Sequence, residues 1–252
     1  MGGIDQLYDA LAPIYDDWQC CDGMLPFAEV VRAKLEPTLR HLAGGRPLSF
    51  LDLGCGTGTL LCGLRAQHGD WRLAGMDGTA AMLRVAARKP GAQSIVWARG
   101  GLAGPLPFGR PFDAVGCFYD TLNHLPDAEA LQRAFAAVAA VIRPGGLLIF
   151  DVTNEHGFPR WWRGCPTFAG DGWRMAMPMR YDADRQLGLA EVELALPGRD
   201  PQCFPLAERL FKRTVVAAAL LAAGFTPVRE RPWAPFDGDE AGKTWWVARR
   251  NG

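Results

Sequence analysis

The segment that most constrains this chain is Leu48 to Gly58, which reads L-S-F-L-D-L-G-C-G-T-G. Phe50, Leu51 and Leu53 form an apolar run of strand length, and beyond the glycines Leu60, Leu61 and Leu64 recur at helical spacing. Strand, glycine turn and helix in direct succession begin a βαβ unit. Gly54, Gly56 and Gly58 let the backbone turn tightly and let a ligand approach main-chain N–H groups at the positive end of the next helix. The turn is therefore expected to hold a nucleotide-like group.

Two further features narrow the ligand. Asp77 lies 25 residues after Asp52 and ends a second apolar run of Trp71, Leu73, Ala74 and Met76. A carboxylate there can accept hydrogen bonds from both hydroxyls of a ribose. A dinucleotide fingerprint wants another glycine three residues after the second one, and that position is Thr59. With G-x-G-x-G after an Asp-bearing strand, the chain resembles the S-adenosylmethionine-dependent methyltransferases of the Rossmann-like class.

Composition restricts the partners. The 27 Lys and Arg balance 27 Asp and Glu, whereas a duplex or tRNA substrate favours a basic face, so a small-molecule acceptor is expected and nucleic acid is not. Seven cysteines form no C-x-x-C pair and no Cys/His cluster of zinc spacing, which predicts free thiols, a reducing compartment and no metal. With no membrane-length apolar run and no basic-then-apolar leader, a cytoplasmic location off the membrane is expected.

The 252 residues suit one α/β domain with an insertion. Strands ending at Leu53 and Met76, then Ser94–Ala98, Phe112–Phe118 and Leu147–Val152, alternate with helices to His68, over Thr79–Arg88 and over Asp127–Ile142. Alternation of this kind predicts a parallel sheet whose ligands bind at the carboxyl ends of its strands. With the last strands, Thr226–Arg231 and Lys243–Arg249, the expected fold is a Rossmann-like seven-stranded, mostly parallel sheet in order 3-2-1-4-5-7-6. Helices cover both faces, and an inserted antiparallel β-ribbon forms a lid. Residues 1–46 read as an N-terminal helical cap: a short bent helix, then an amphipathic helix from Leu25 to Leu42 placed at the sheet edge. Within 155–213, Trp173, Met175, Met177, Met179 and Tyr181 alternate, as do Ala190, Val192, Leu194 and Leu196, which predicts the ribbon, and a third run, Phe204 to Arg213, is a candidate for a further strand.

The resemblance implies the site. Gly54, Cys55 and Gly56 would lie beneath the methionine moiety of S-adenosylmethionine, Asp77 would hold its ribose, and Gly78, Met82, Gly101, Leu102 and Phe118 would complete the cofactor pocket. Asp77 as a helix cap and Met82 as core remain alternatives. Gly101 stands where such enzymes commonly carry an acid for the adenine amino group. The loop C-F-Y-D-T-L-N-H-L-P-D, Cys117 to Asp127, is similar to that of glycine N-methyltransferases and aminosugar N,N-dimethyltransferases. His124 occupies the matching His position, as a base for the acceptor or as a binding residue, and Tyr15 matches the tyrosine that reaches over the sulfonium. The resemblance implies a catalytic role for both. Asp120 is read as a turn residue that would alternatively orient an ammonium, and Tyr8 as a packing residue.

Thr153 replaces the Arg that glycine N-methyltransferases use for the substrate carboxylate, so glycine is not the expected acceptor. The resemblance implies methyl transfer to an amine of a small molecule, with S-adenosylhomocysteine released. O-methylation, or a protein that binds the cofactor without transfer, are the alternatives. The tryptophans and methionines of the ribbon suit either an acceptor wall or a homodimer interface.

Overall fold

Apolar strands alternating with amphipathic helices build a doubly covered sheet in the computed structural model, which describes residues 3–21, 25–235 and 241–252. β1 (Ser49–Leu53), β2 (Arg72–Asp77), β3 (Val96–Arg99), β4 (Phe112–Cys117) and β5 (Ile142–Thr153) pair in parallel. β12 (Phe225–Trp233) and β13 (Lys243–Arg250) return antiparallel, with β13 against β5. The order β3-β2-β1-β4-β5-β13-β12 is the expected one once the sheet strands are counted along the chain.

Because successive strand residues point to opposite faces, β1 sends Leu51 and Leu53 to one core and Phe50 to the other. The first core lies under α6 (Ala128–Val141) and α8 (Arg213–Ala222), the second under α3 (Phe27–Ala43) and α4 (Thr59–Gln67). The Asp127 carboxylate caps α6 by accepting the Ala130 N–H at 2.7 Å. Helix α3 buries Phe27, Val31, Leu35, Leu39 and Ala43 at intervals of four. It packs with Phe50, Ala114, Ile149 and Trp245, on the face of the sheet and not at its edge. A stripe five residues long needs a broad apolar surface, which the sheet rim does not offer.

The insertion is larger than a two-stranded ribbon. After α7 (Gly157–Trp161) come β6 (Arg163–Gly164), β7 (Thr167–Gly170), β8 (Trp173–Ala176), β9 (Met179–Asp182), β10 (Leu187–Ala195) and β11 (Gln202–Arg209), which form a second, antiparallel sheet. The alternating run from Trp173 to Tyr181 is broken at Met177 and Pro178, since Pro178 has no N–H to give to a ladder. Its two halves, β8 and β9, pair with different stretches of β10, and β11 also pairs with β10.

The inner face of this sheet carries Trp173, Met175, Val192, Leu194, Phe204 and Leu206. It packs against Leu7 and Leu11 of α1 (Gly3–Leu11), Ile14 and Met82. Trp173 and the methionines Met175 and Met177 are thus buried by the chain's own N-terminal segment, with Trp173 Nε1 donating to Asp17 Oδ2 of α2 (Tyr15–Gln19) at 2.5 Å. At about 1.5–3 kcal/mol per fully buried aliphatic side chain, Leu7 and Leu11 together anchor α1 by about 3–6 kcal/mol. No helix among the described residues is long and apolar enough to cross a membrane.

Candidate active site

Gly54, Gly56 and Gly58 have φ of +72°, +53° and +74°, a region that side chains with a Cβ rarely adopt. A Cβ on Gly54 would also run into the Thr121 side chain, and one on Gly58 would lie 2.6 Å from the Trp97 ring. The turn is tied to β2 through the N–H groups of Gly54 and Cys55, which donate to the Met76 carbonyl at 2.8 and 3.1 Å. At the end of β2, Asp77 Oδ2 accepts the Gly56 N–H at 2.9 Å. Asp77 Oδ1 accepts the N–H and hydroxyl of Thr79 at 2.9 and 3.0 Å, just before α5 (Ala80–Ala86). Asp77 therefore braces the glycine turn and the start of α5 while facing a cavity. Burial raises its pKa, and the same hydrogen bonds oppose that rise.

The cavity holds about 290 Å³ at the carboxyl ends of β1 and β2. It gathers Tyr15, Gly54, Gly56, Asp77, Gly78, Met82, Gly101, Leu102 and His124 from the residues named by sequence, together with Tyr8, Thr79, Tyr119 and Thr121. Cys55 and Phe118 line an adjoining, smaller cavity of about 70 Å³ that shares Tyr15, Gly54, Gly56 and Tyr119 with the first. Burial pushes the Cys55 thiol well up, so it stays protonated. A Cβ on Gly101 would meet nothing within 4 Å, which leaves open space where an acid was expected. Asp52, buried at 4% exposure, opens onto the smaller cavity, and burial followed by the charge of Asp77 raises its pKa well above the usual range.

The N-terminal segment closes the cavity through polar contacts. Tyr8 Oη and His124 Nε2 are 3.0 Å apart, and the Tyr8 and Tyr15 ring centroids are 6.4 Å apart. Asp16 Oδ1 accepts the hydroxyls of Thr57 and Thr59 at 2.6 and 3.0 Å, and Lys89 reaches Asp16 at 2.6 Å. Tyr8 is thus part of the lining as well as a helix residue. Its seven-residue spacing from Tyr15 is the sequence signal for it. Desolvation raises the pKa of both phenols well above 10, so they remain hydrogen-bond donors. Burial lowers the His124 pKa against the pull of Asp120, and among the described residues its buried Nδ1 makes no hydrogen bond. The imidazole is neutral at pH 7.

Behind Tyr119 lies an ion cluster that the sequence did not announce. Lys243, 3% exposed, contacts Asp120 Oδ1 at 2.5 Å, Asp151 Oδ2 at 2.9 Å and Thr153 Oγ1 at 3.4 Å. Tyr119 and Asp120 both adopt positive φ, 57° and 58°. This strained pair is held by Asp151 Oδ1, which accepts the Tyr119 N–H at 2.8 Å, and by Thr153, whose hydroxyl donates to Asp120 Oδ1 at 2.5 Å. Asp120 is thus a turn residue whose charge is already matched by Lys243. The Tyr119 ring stacks on Phe27 at 4.4 Å, and its hydroxyl accepts from Gln19, with a pKa pushed up to about 12 mainly by burial.

Comparison with known proteins agrees with this geometry. Residues 50–146, which run from β1 through the glycine turn and α6 into β5, match the family model described as a methyltransferase domain. That segment is similar to methyltransferase domains. Over 134 residues, the chain is 30% identical to the Streptomyces venezuelae dTDP-3-amino-3,4,6-trideoxy-alpha-D-glucopyranose N,N-dimethyltransferase, covering 53% of this chain and 50% of that one. A putative methyltransferase of Bacillus subtilis, YqeM, is 28% identical over 150 residues, 59% of this chain and 56% of that protein. The chain spans about half the length of the curated relatives it matches. The crystal structure of Streptomyces venezuelae DesVI shares the fold over nearly the whole length of the chain. Its TM-score is 0.73 at 24% identity, covering 96% of this chain and 98% of that one. The CcbJ methyltransferase of Streptomyces caelestis gives 0.76 at 21%, covering 97% and 98%.

Proposed function

We propose that this protein transfers a methyl group from S-adenosylmethionine to an amine nitrogen of a small-molecule acceptor. The observation that carries the reading is the cavity in which Asp77, braced by Gly56 and Thr79, faces Tyr15 and Leu102 across the glycine turn. Asp77 retains free lone pairs for the two ribose hydroxyls, because each carboxylate oxygen can accept more than one hydrogen bond. Gly54 and Gly56, bare of Cβ, leave room for the amino-acid moiety, with the buried carboxyl of Asp52 nearby for its ammonium group. Leu102, Gly101 and Met82 provide a flat apolar slot for a base.

When bound, the cofactor supplies an already activated methyl group on a sulfonium. The chain's own residues then have three tasks: to hold the acceptor in line, to exclude water, and to take a proton from the acceptor nitrogen. Tyr8 and Tyr15 wall the cavity on the N-terminal side and Tyr119 on the strand side. The amine preference is supported by the His124 loop and by relatives whose names specify N,N-dimethylation of amino sugars.

Calorimetry with S-adenosylmethionine and S-adenosylhomocysteine, followed by transfer of labelled methyl to a panel of amino sugars and of their hydroxyl counterparts, tests the reading. Micromolar binding and label on nitrogen are expected. Binding of a nicotinamide dinucleotide in place of the sulfonium, or label found only on oxygen, would overturn it.

A further inference from the structure

Resting on the N-methyltransferase reading, we propose that Glu208 is the carboxylate that draws the acceptor's ammonium nitrogen to the methyl-transfer cavity and takes its proton. The substrate class is then a primary or secondary aliphatic amine that arrives as a cation.

Glu208 occupies an inward register position on β11. Phe204 and Leu206, four and two residues earlier, are buried in the apolar face over α1, and Glu208 continues that face as a carboxyl. A charge placed there needs a partner, because burying an unpaired carboxylate is costly. Its side chain is 12% exposed, and among the described residues it takes part in no hydrogen bond. The ion-pairing group within reach is His124 Nε2, at 3.9 Å.

The neighbouring groups are already committed. Lys243 is consumed by Asp120 and Asp151. His124 Nε2 is engaged by the Tyr8 hydroxyl, and its Nδ1 is buried. Asp120 and Asp151 share the one cation Lys243, so with His124 neutral the cluster beside Glu208 already carries an excess of negative charge. A cation entering beside Tyr8 and His124 supplies the missing partner. Burial raises the Glu208 pKa well above the usual carboxylate range, Asp120 and Asp151 add to the rise, and Lys243 opposes it. A carboxyl of that kind holds a proton better than an exposed glutamate, as a base facing an ammonium must.

The step balances simply. The R–NH3+ group gives one proton to the Glu208 carboxylate and becomes R–NH2. The nitrogen lone pair then forms the N–C bond while the C–S electrons return to sulfur, which leaves R–NH2–CH3+ and the thioether. Glu208 later releases its proton to water. An alcohol of the same skeleton gains nothing from the carboxylate, so Glu208 also selects against oxygen acceptors.

The test compares wild type with Glu208→Gln, both saturated with S-adenosylhomocysteine, as they bind glucosamine against glucose and cyclohexylamine against cyclohexanol, by ligand-observed NMR at pH 7. Wild type should favour the amines by about tenfold or more, the size of one charge-assisted contact, and Glu208→Gln should lose that preference. Its S-adenosylhomocysteine affinity should stay within about threefold of wild type, which also reports that it folds; Glu208→Met replaces it if it does not. Equal binding of amines and alcohols by wild type, or a preference that survives in the variant, overturns the inference. An amine preference that depends on Glu208, without methyl transfer to any amine, would break the proposed function and with it the proton-transfer step, leaving only the ammonium contact. Amine methylation undiminished in Glu208→Gln would break the inference alone.

Discussion

Tyr8 Oη and His124 Nε2, 116 positions apart in sequence, meet at 3.0 Å and join the first helix to the loop after β4. The bond ties closure of the N-terminal segment to the orientation of the imidazole. Tyr8→Phe keeps the ring packing and deletes the bond. S-adenosylhomocysteine affinity should stay within about threefold, while single-turnover methyl transfer should fall by about tenfold or more. Equal losses in the two measurements would make the pair a cofactor contact.

His124 should also mark the pH dependence of stability. Its pKa in the folded chain is lowered by burial, while an unfolded histidine titrates near about 6.5. Between the folded value and about 6.5 the unfolded state binds more protons, so stability is full above that window and is lost as pH falls through it. Urea midpoints measured from pH 8 down to 5 should show the decline, and His124→Asn should flatten it.

Asp77→Ala should weaken S-adenosylmethionine binding by about 10- to 100-fold, the loss expected for a charge-assisted pair. It should also lower the melting temperature of the empty protein, because the N–H groups of Gly56 and Thr79 lose their acceptor. Calorimetry and thermal unfolding separate these effects, and unchanged affinity would remove Asp77 from the ribose role.

Lys243→Met should be strongly destabilising, by about 3–5 kcal/mol, because it strands Asp120 and Asp151 in the interior. The double variant Asp151→Asn, Lys243→Met should recover part of that loss in urea denaturation. A single variant as stable as wild type would mean that water reaches the cluster.

Much of the sheet was legible because period and punctuation agreed there. The run Phe50, Leu51, Leu53 into Gly54, Gly56 and Gly58 admits few structures, and Asp127 before the apolar spacing of α6 marks a helix start. The insertion was legible as alternation but not as pairing, since Pro178 splits one apparent strand into two that pair with separate parts of β10. The destination of the inserted sheet's apolar face, α1, depends on contacts between residues far apart in sequence. The ion cluster was hidden for a similar reason. A lysine opening an apolar strand, K-T-W-W-V, looks like a surface residue until β13 is inserted between β5 and β12, which puts Lys243 against Asp151. Glu208 could have been noticed as a carboxyl in phase with Phe204 and Leu206. Its nearness to His124 could not.

Placement of β13 in the interior of the sheet has a consequence for biosynthesis. The loop carrying Tyr119 and Asp120 is translated well before the lysine that neutralises it, so a nascent chain arrested short of residue 243 holds two carboxylates without their cation. Such a ribosome-bound intermediate lacks the ion pairs that hold the two left-handed residues, and competence for the proposed methyl transfer should appear only when the strand containing Lys243 has emerged and inserted.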